Sequence, residues 1–154
     1  MCISFVRKVD DVQKIREILG EKVENIKIIS KIENDEGIDN FDDIMQMSDG
    51  VIVMRKALSL YIDIEKLHLG QKKMIQRANI MAKTIIIGSA IFESMMDWDM
   101  PTRSEAGDII SLVVAGADCI MLTQETAEGQ YPIKAIKELA VCCVEGERTI
   151  DFKR

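Results

Sequence analysis

Five short runs of aliphatic residues recur along the chain, and they limit the folds that it can adopt more than any other feature. The runs are rich in isoleucine and valine and show little alternation of apolar and polar positions. They span residues 2–6, 26–30, 51–54, 84–88 and 118–122. Continuous apolar runs of this length are typical of strands that are covered on both faces, as in a parallel sheet.

Stretches with helical periodicity separate these runs. Thr102 and Glu105 have the spacing of a capping box, and Pro132 suits the first position of a later helix. The order is therefore β-α, repeated about five times, which predicts an α/β fold with parallel strands and outer helices. A partial (β/α)₈ TIM barrel and an open doubly wound sheet both have this order. The chain lacks the glycine-rich dinucleotide fingerprint and the phosphate-loop motif, which favours the partial barrel.

Length and charge narrow the class of protein. The 154 residues predict one domain, at residues 1–150, followed by a short tail at residues 151–154. The net charge is −6 and the basic residues are dispersed, so we expect no binding to nucleic acid or to an anionic membrane surface. The N-terminus lacks the pattern of a signal peptide, and the four cysteines have no metal-ligand spacing. A cytoplasmic protein with reduced cysteines is expected.

The most informative polar residues are Lys31 and Glu33, at the end of the second apolar run. Residues two apart in an extended chain point to the same face, so this ammonium and this carboxylate should share one surface. The carboxyl ends of parallel strands carry the functional sites of such folds. A site that manages phosphate charge is one interpretation, and a simple salt bridge at the rim of the sheet is the other.

Five longer strings distinguish between these interpretations. They are Ser-Phe-Val-Arg at residues 4–7, Ile-Lys-Ile-Ile-Ser-Lys-Ile-Glu-Asn at 26–34, Glu-Ser-Met at 93–95, Pro-Thr-Arg-Ser-Glu at 101–105 and Gly-Ala-Asp-Cys-Ile-Met-Leu at 116–122. The strings closely resemble pyruvate kinase, in that family's order and at nearly its spacing. The resemblance implies the second half of the catalytic barrel, from the fourth strand to the eighth. The first three strands, the lid domain and the regulatory domain of the family have no counterpart here.

The resemblance implies roles for single residues. Lys31 matches the catalytic lysine that neutralises charge on the transferring phosphoryl group and on the enolate, and Glu33 matches a carboxylate that binds Mg²⁺. Ser89 stands where the family has a threonine that contacts substrate and serves proton transfer. The family transfers a phosphoryl group between phosphoenolpyruvate and ADP, giving pyruvate and ATP in glycolysis, with Mg²⁺ and K⁺ as cofactors.

The substrate-binding positions that the resemblance implies are Arg55, Lys56, Ala57 and Ser89, and several depart from the family. The motif Ala-Arg-Gly-Asp-Leu-Gly of the family is Met-Arg-Lys-Ala-Leu-Ser at residues 54–59, so the second metal carboxylate is replaced by Ala57. A methyl group cannot coordinate Mg²⁺, so metal binding should weaken strongly. Lys56 replaces a glycine, and Tyr61 replaces a glutamate.

We therefore expect a pyruvate kinase-like protein that has little or no activity alone. One alternative chemistry uses Lys56 as a new cation for phosphate. Another alternative is a non-catalytic interaction protein that associates with itself or with a full-length homologue through Trp98, Arg103 and unpaired sheet edges. A remnant of a gene, without a selected function, is the third.

Overall fold

The computed structural model describes residues 1–150, and the predicted tail at 151–154 lies outside these residues. Within these residues the structure has five strands, and each predicted run contributes to one of them. The strands are β1 (Cys2–Ile3), β2 (Ile29–Ile32), β3 (Gly50–Met54), β4 (Thr84–Gly88) and β5 (Cys119–Met121). At least one helix follows every strand, so the predicted β-α repeat is confirmed.

The α-helices within residues 1–150 differ in length, from four to 17 residues. They are α1 (Val9–Leu19), α2 (Asp35–Asp39), α3 (Phe41–Met47), α4 (Arg55–Leu58), α5 (Ile64–Ile80), α6 (Arg103–Ala115), α7 (Gln124–Ala127) and α8 (Pro132–Arg148). Two 3₁₀ helices, Gly20–Asn25 and Glu93–Met96, complete the regular structure. No helix within residues 1–150 is long and apolar enough to cross a membrane.

The strands are parallel, and their order in the sheet is their order in the chain. Cys2 pairs with Ile29 in the register of β1 and β2, and Ile29 pairs with Gly50 in the register of β2 and β3. The strand order is β1-β2-β3-β4-β5, with β1 and β5 as its terminal strands. A doubly wound sheet reverses its strand order at a switch point, whereas a (β/α) barrel adds each strand beside the previous one. The predicted partial barrel is therefore confirmed over the doubly wound alternative.

The chain divides into two compact units, Met1–Ile86 and the segment from Ile87 onward. In the first unit, residues of β2, β3 and the helices α3 and α5 form the core. Its fully buried members include Ile32, Ile44, Val53 and Ile75. In the second unit, Phe92, Met95 and Ile109 pack with Ala135 and Cys142, which are residues of α8.

Two strands differ in their bounds from the predicted runs. β1 ends at Ile3 rather than at residue 6, because Phe5 has a positive φ of 57° that an extended strand cannot accommodate. β2 begins at Ile29 rather than at residue 26, because the 3₁₀ helix Gly20–Asn25 runs up to Ile26. The shift places Lys31 inside β2 and Glu33 directly after it.

Local signals fix several helix ends where they were predicted. The Thr102 hydroxyl accepts the N–H of Glu105, while the Glu105 carboxylate accepts the N–H of Thr102, which completes the capping box of α6. Pro132 occupies the first turn of α8, as predicted. In α8, Ala135 and Cys142 are buried, whereas Ile136 is exposed.

Candidate functional site at the strand ends

An ammonium and a carboxylate meet at the carboxyl end of β2. The distance from Lys31 Nζ to Glu33 Oε1 is 2.8 Å. The Lys31 side chain is 21% exposed and the Glu33 side chain 7%, so the ion pair is largely withdrawn from water. The two side chains share one surface, as their spacing predicts.

The loop after β1 supplies the remaining partners of this ion pair. The backbone N–H of Phe5 donates to Glu33 Oε2 at 2.7 Å, and Lys31 Nζ donates to the Ser4 hydroxyl at 3.1 Å. Phe5 adopts the left-handed conformation that lets its N–H point at the carboxylate, at a cost on the order of 1 kcal/mol for a non-glycine residue. Four neighbouring groups thus join the ends of β1 and β2 into one polar cluster.

The cluster offers a poor donor set for a divalent cation. Both oxygens of Glu33 already accept hydrogen bonds, one from an ammonium and one from an N–H. Position 57, the second carboxylate position of the resemblance, holds the methyl group of Ala57. Within residues 1–150, no three His, Cys, Asp or Glu side chains lie together as a metal-binding group. The residues present therefore do not fit a resident Mg²⁺ ion, which needs several oxygen ligands.

The residues after β3 form α4, a helix of four residues. Arg55 opens this helix and is buried, Lys56 is exposed and Ala57 is half-buried. β3 pairs in parallel with β2, so these residues lie at the same edge of the sheet as Glu33. The first unit therefore brings two of the predicted binding residues, Arg55 and Lys56, to the sheet edge that carries Lys31.

In the second unit, Ser89 follows β4 in an unusual backbone conformation. Ser89 and Ala90 both have positive φ values, of 70° and 53°, and Ser89 is buried. Two consecutive left-handed residues turn the chain sharply away from the strand direction. The predicted site residue is thus placed in a strained turn at a strand end, as active-site residues often are.

Glu125 organises the strand ends of the second unit, and it is not among the site residues predicted from the sequence. Its Oε1 accepts the N–H groups of Ile91 and Phe92, each at 3.2 Å. Its Oε2 accepts the N–H of Thr123 at 2.8 Å and the Thr123 hydroxyl at 3.3 Å. The only sequence signal was a glutamate in the polar string Thr-Gln-Glu-Thr after the fifth run, which does not reveal its partners.

The hydrogen bonds of Glu125 decide its protonation. Burial alone would raise the pKa of this carboxyl group, since Glu125 is only 2% exposed. The N–H donors of Thr123, Phe92 and Ile91 favour the charged form and outweigh burial, so the pKa lies below its ordinary value. Glu125 is therefore a charged staple between the segments that follow β4 and β5.

Glu105 repeats this arrangement at the start of α6. Besides capping Thr102, its carboxylate accepts the N–H and the hydroxyl of Ser94 in the second 3₁₀ helix. Burial opposes its charge, but the donors of Ser94 and Thr102 prevail and lower its pKa. The capping residue predicted from sequence thus also fixes the loop that precedes the helix.

Comparison with known proteins identifies the family of this chain. Residues 1–136 match the family described as Pyruvate kinase, barrel domain. Pyruvate kinase of Dictyostelium discoideum is 47% identical over 144 residues, which are 94% of this chain and 28% of that protein.

Two further relatives agree. The cytosolic isozyme of pyruvate kinase from Nicotiana tabacum is 45% identical over 99% of this chain and 30% of its own length. Pyruvate kinase of Eimeria tenella is 46% identical over 98% of this chain and 28% of its own length. The chain thus spans less than a third of the relatives that it matches, and it belongs to the pyruvate kinase family, in the barrel domain.

Proposed function

We propose that this chain is a segment of a protein of pyruvate kinase type. Its site derives from one that transfers a phosphoryl group between phosphoenolpyruvate and ADP. The observation that carries the proposal is the Lys31–Glu33 pair, 2.8 Å apart at the carboxyl end of a parallel strand. Its support is that an ammonium at this position can stabilise negative charge that develops on a phosphoryl or enolate oxygen.

Lys31 is placed to bind an anionic oxygen. Its ammonium has three N–H donors, and the Glu33 carboxylate and the Ser4 hydroxyl accept two of them. The third donor can be offered to a substrate oxygen, since the side chain is partly exposed. Arg55 and Lys56 add positive charge at the same sheet edge, which suits the carboxylate and phosphate of phosphoenolpyruvate. Ser89 contributes a hydroxyl for the proton-transfer step in this proposal.

The chain alone is expected to be a weak or inactive catalyst. The family's Mg²⁺ requires oxygen ligands, whereas Glu33 is occupied by protein donors and Ala57 offers none. The charge of Lys31 is consequently balanced by the carboxylate of Glu33, which reduces the charge available to a phosphoryl group.

We place the chain in the cytoplasm, as the name of the tobacco relative indicates for that protein.

An activity assay tests this proposal. The purified chain is incubated with phosphoenolpyruvate, ADP, Mg²⁺ and K⁺, and pyruvate is followed through a coupled dehydrogenase. The expected result is no pyruvate above that of a denatured sample. Pyruvate formation that disappears in Lys31→Ala and persists in Lys72→Ala, which changes an exposed lysine of α5, would show an active enzyme instead.

A second candidate function is association with another copy of the chain. In the second unit, Trp98 is 72% exposed and Met100 63%, and the outer face of α8 exposes Ile133, Ile136 and Val144. Large apolar side chains of this number are more typical of an interface than of a free surface. Sedimentation velocity over a range of concentrations should show dimers or larger species, with fewer of them in Trp98→Ser. A stable monomer at all concentrations contradicts this function, and added full-length homologue tests the alternative partner.

A further inference from the structure

A cavity in the first unit lies beside the polar cluster of Lys31 and shares Phe5 with it. It has a volume of about 400 Å³ and opens beside the segments that follow β1, β2 and α4. Its walls are formed by the side chains of Phe5, Arg7, Asn34, Asp35, Glu36 and Tyr61. A cavity of this size admits a small organic molecule rather than a single ion.

Two aromatic rings form the apolar wall of this cavity. The ring centroids of Phe5 and Tyr61 are 6.4 Å apart, and the ring planes meet at 76° in an edge-to-face arrangement. Phe5 is 52% exposed and Tyr61 47%, so both rings retain surface for a ligand. Tyr61 is one of the positions where the chain departs from the resemblance, so the ring pair is a feature of this chain.

The charged groups of the cavity favour a cation. Arg7 Nε lies 3.9 Å from Glu36 Oε2, and these two exposed, opposite charges cancel in the net charge of the cavity. Asp35 adds a second carboxylate, and its Oδ1 accepts the N–H of Glu36 at 3.0 Å. One net negative charge therefore remains beside the two rings. An anion would face both carboxylates, and its one possible counter-charge, Arg7, is already paired.

We propose that this cavity binds a small organic cation of the alkylammonium class. The electron-rich faces of aromatic rings attract such cations, and methylated ammonium groups also gain from apolar contact with the rings. A carboxylate at the rim adds a charge interaction that salt weakens. The inference goes beyond the proposed function, because the cavity is lined by none of Lys31, Arg55, Lys56 and Ser89, and it holds whether or not the chain forms pyruvate.

A matched pair of probes tests the charge requirement. Choline and 3,3-dimethyl-1-butanol have nearly the same shape, but only choline carries the positive charge. Titration of the full ¹⁵N-labelled chain should show saturable shifts of the amide signals of Phe5, Asp35 and Tyr61 with choline at millimolar concentrations. The neutral isostere should bind at least about fivefold more weakly, the effect of one cation–π contact.

Variants locate the binding at the cavity. Tyr61→Leu keeps an apolar side chain without the ring, and it should weaken choline binding about fivefold, whereas Tyr61→Phe should change it less than about twofold. Asp35→Asn should weaken binding about threefold at low salt and less at high salt. Far-UV circular dichroism confirms folding of each variant. If Tyr61→Leu does not fold, the Asp35→Asn variant decides.

Several results would overturn the inference. They are no saturable shift with choline, equal affinity for the neutral isostere, and full choline affinity in a folded Tyr61→Leu or Asp35→Asn variant. Inorganic phosphate that shifts the same amide signals and displaces choline would assign the cavity to anions instead.

Discussion

Glu33 in the first unit and Glu125 in the second are both buried carboxylates that follow a strand, yet they are stabilised in opposite ways. Glu33 is 5% exposed and is balanced by the ammonium of Lys31. Glu125 is 2% exposed and is held by three backbone N–H groups and one hydroxyl, with no cation among these four donors. The first arrangement pairs the carboxylate with a side-chain cation, whereas the second ties backbone segments together.

The difference separates a carboxylate that is paired with a side-chain cation from one that is held mainly by backbone groups. An ion pair leaves an N–H donor of Lys31 to offer to a ligand. The donors of Glu125 belong to the backbone and cannot move toward a substrate. Equal burial of two carboxylates at strand ends therefore does not indicate equal function, and the partners must be identified before a role is assigned.

Removal of the Glu125 carboxylate should have the largest effect. Glu125→Ala leaves the buried N–H groups of Ile91 and Phe92 and the partly buried N–H of Thr123 without this acceptor, and each loss at a buried group costs about 1–3 kcal/mol. We expect the free energy of unfolding to fall by about 3–5 kcal/mol. Urea unfolding measures the loss, and hydrogen exchange should increase in peptides from 87–150 more than in peptides from 1–86.

Glu125→Gln is the matched control, because it keeps one oxygen acceptor without the charge. The lowered pKa of Glu125 means that its contribution is complete above pH 4.5, its ordinary value, and is lost as the pH falls toward the folded pKa. The wild-type chain should therefore lose stability below that pH more steeply than Glu125→Gln. Equal acid sensitivity of the two chains would contradict the charged staple.

Removal of the Lys31 ammonium should have an intermediate effect. Lys31→Met leaves the Glu33 carboxylate with the N–H of Phe5 and no cation, and we expect a loss of about 2–3 kcal/mol, since the lysine is partly exposed. Lys31→Met combined with Glu33→Gln should recover about 1 kcal/mol or more of this loss. If the loss in free energy of unfolding of the double variant equals the sum of the losses of the two single variants, the two charges are not coupled.

The smallest effects should come from two helix glycines that have open space around them, one in each unit. Apart from the adjacent residues and the backbone of its own helix, a Cβ atom at Gly70 of α5 or at Gly107 of α6 would meet no atom within 4 Å. Alanine loses less backbone freedom on folding than glycine, so Gly70→Ala and Gly107→Ala should each stabilise the chain by about 0.5–1 kcal/mol. Urea unfolding monitored by circular dichroism measures both, and a single shifted transition for each variant would show that the two units unfold together.

Gly146 provides the control of opposite sign. A Cβ atom there would lie 2.9 Å from Cβ of Val113, in the contact between α8 and α6. The branched side chain of Val113 cannot move aside easily, so Gly146→Ala should destabilise the chain by about 1–3 kcal/mol. Stabilisation by this substitution would mean that the helices separate readily.

Periodic and local signals were sufficient for much of the fold. The order of strands and helices follows from apolar patterning, and the α6 cap follows from the spacing of Thr102 and Glu105, because both depend on residues that are close in sequence. The pairing of Lys31 with Glu33 could also be predicted, since a strand places alternate residues on one face.

Contacts between distant residues could not be predicted in this way. Glu125 accepts from Ile91 and Phe92, which lie more than 30 positions earlier, and no periodicity reveals such partners. The early end of β1 depends on the positive φ of Phe5, which the tertiary hydrogen bond to Glu33 stabilises against local preference. The roles of the site residues in catalysis stay predictions, since they come from the family resemblance.

The sequential strand order also affects how the chain can fold. Cys2 pairs with Ile29, 27 positions later, and Ile29 with Gly50, 21 positions later, so each strand needs only one βα unit to reach its partner. Closure of loops of this length costs little entropy compared with closure between distant parts of a chain. The contact order contributed by these strand pairs is therefore modest for a parallel sheet, and each βα unit can dock on the previous one soon after it leaves the ribosome.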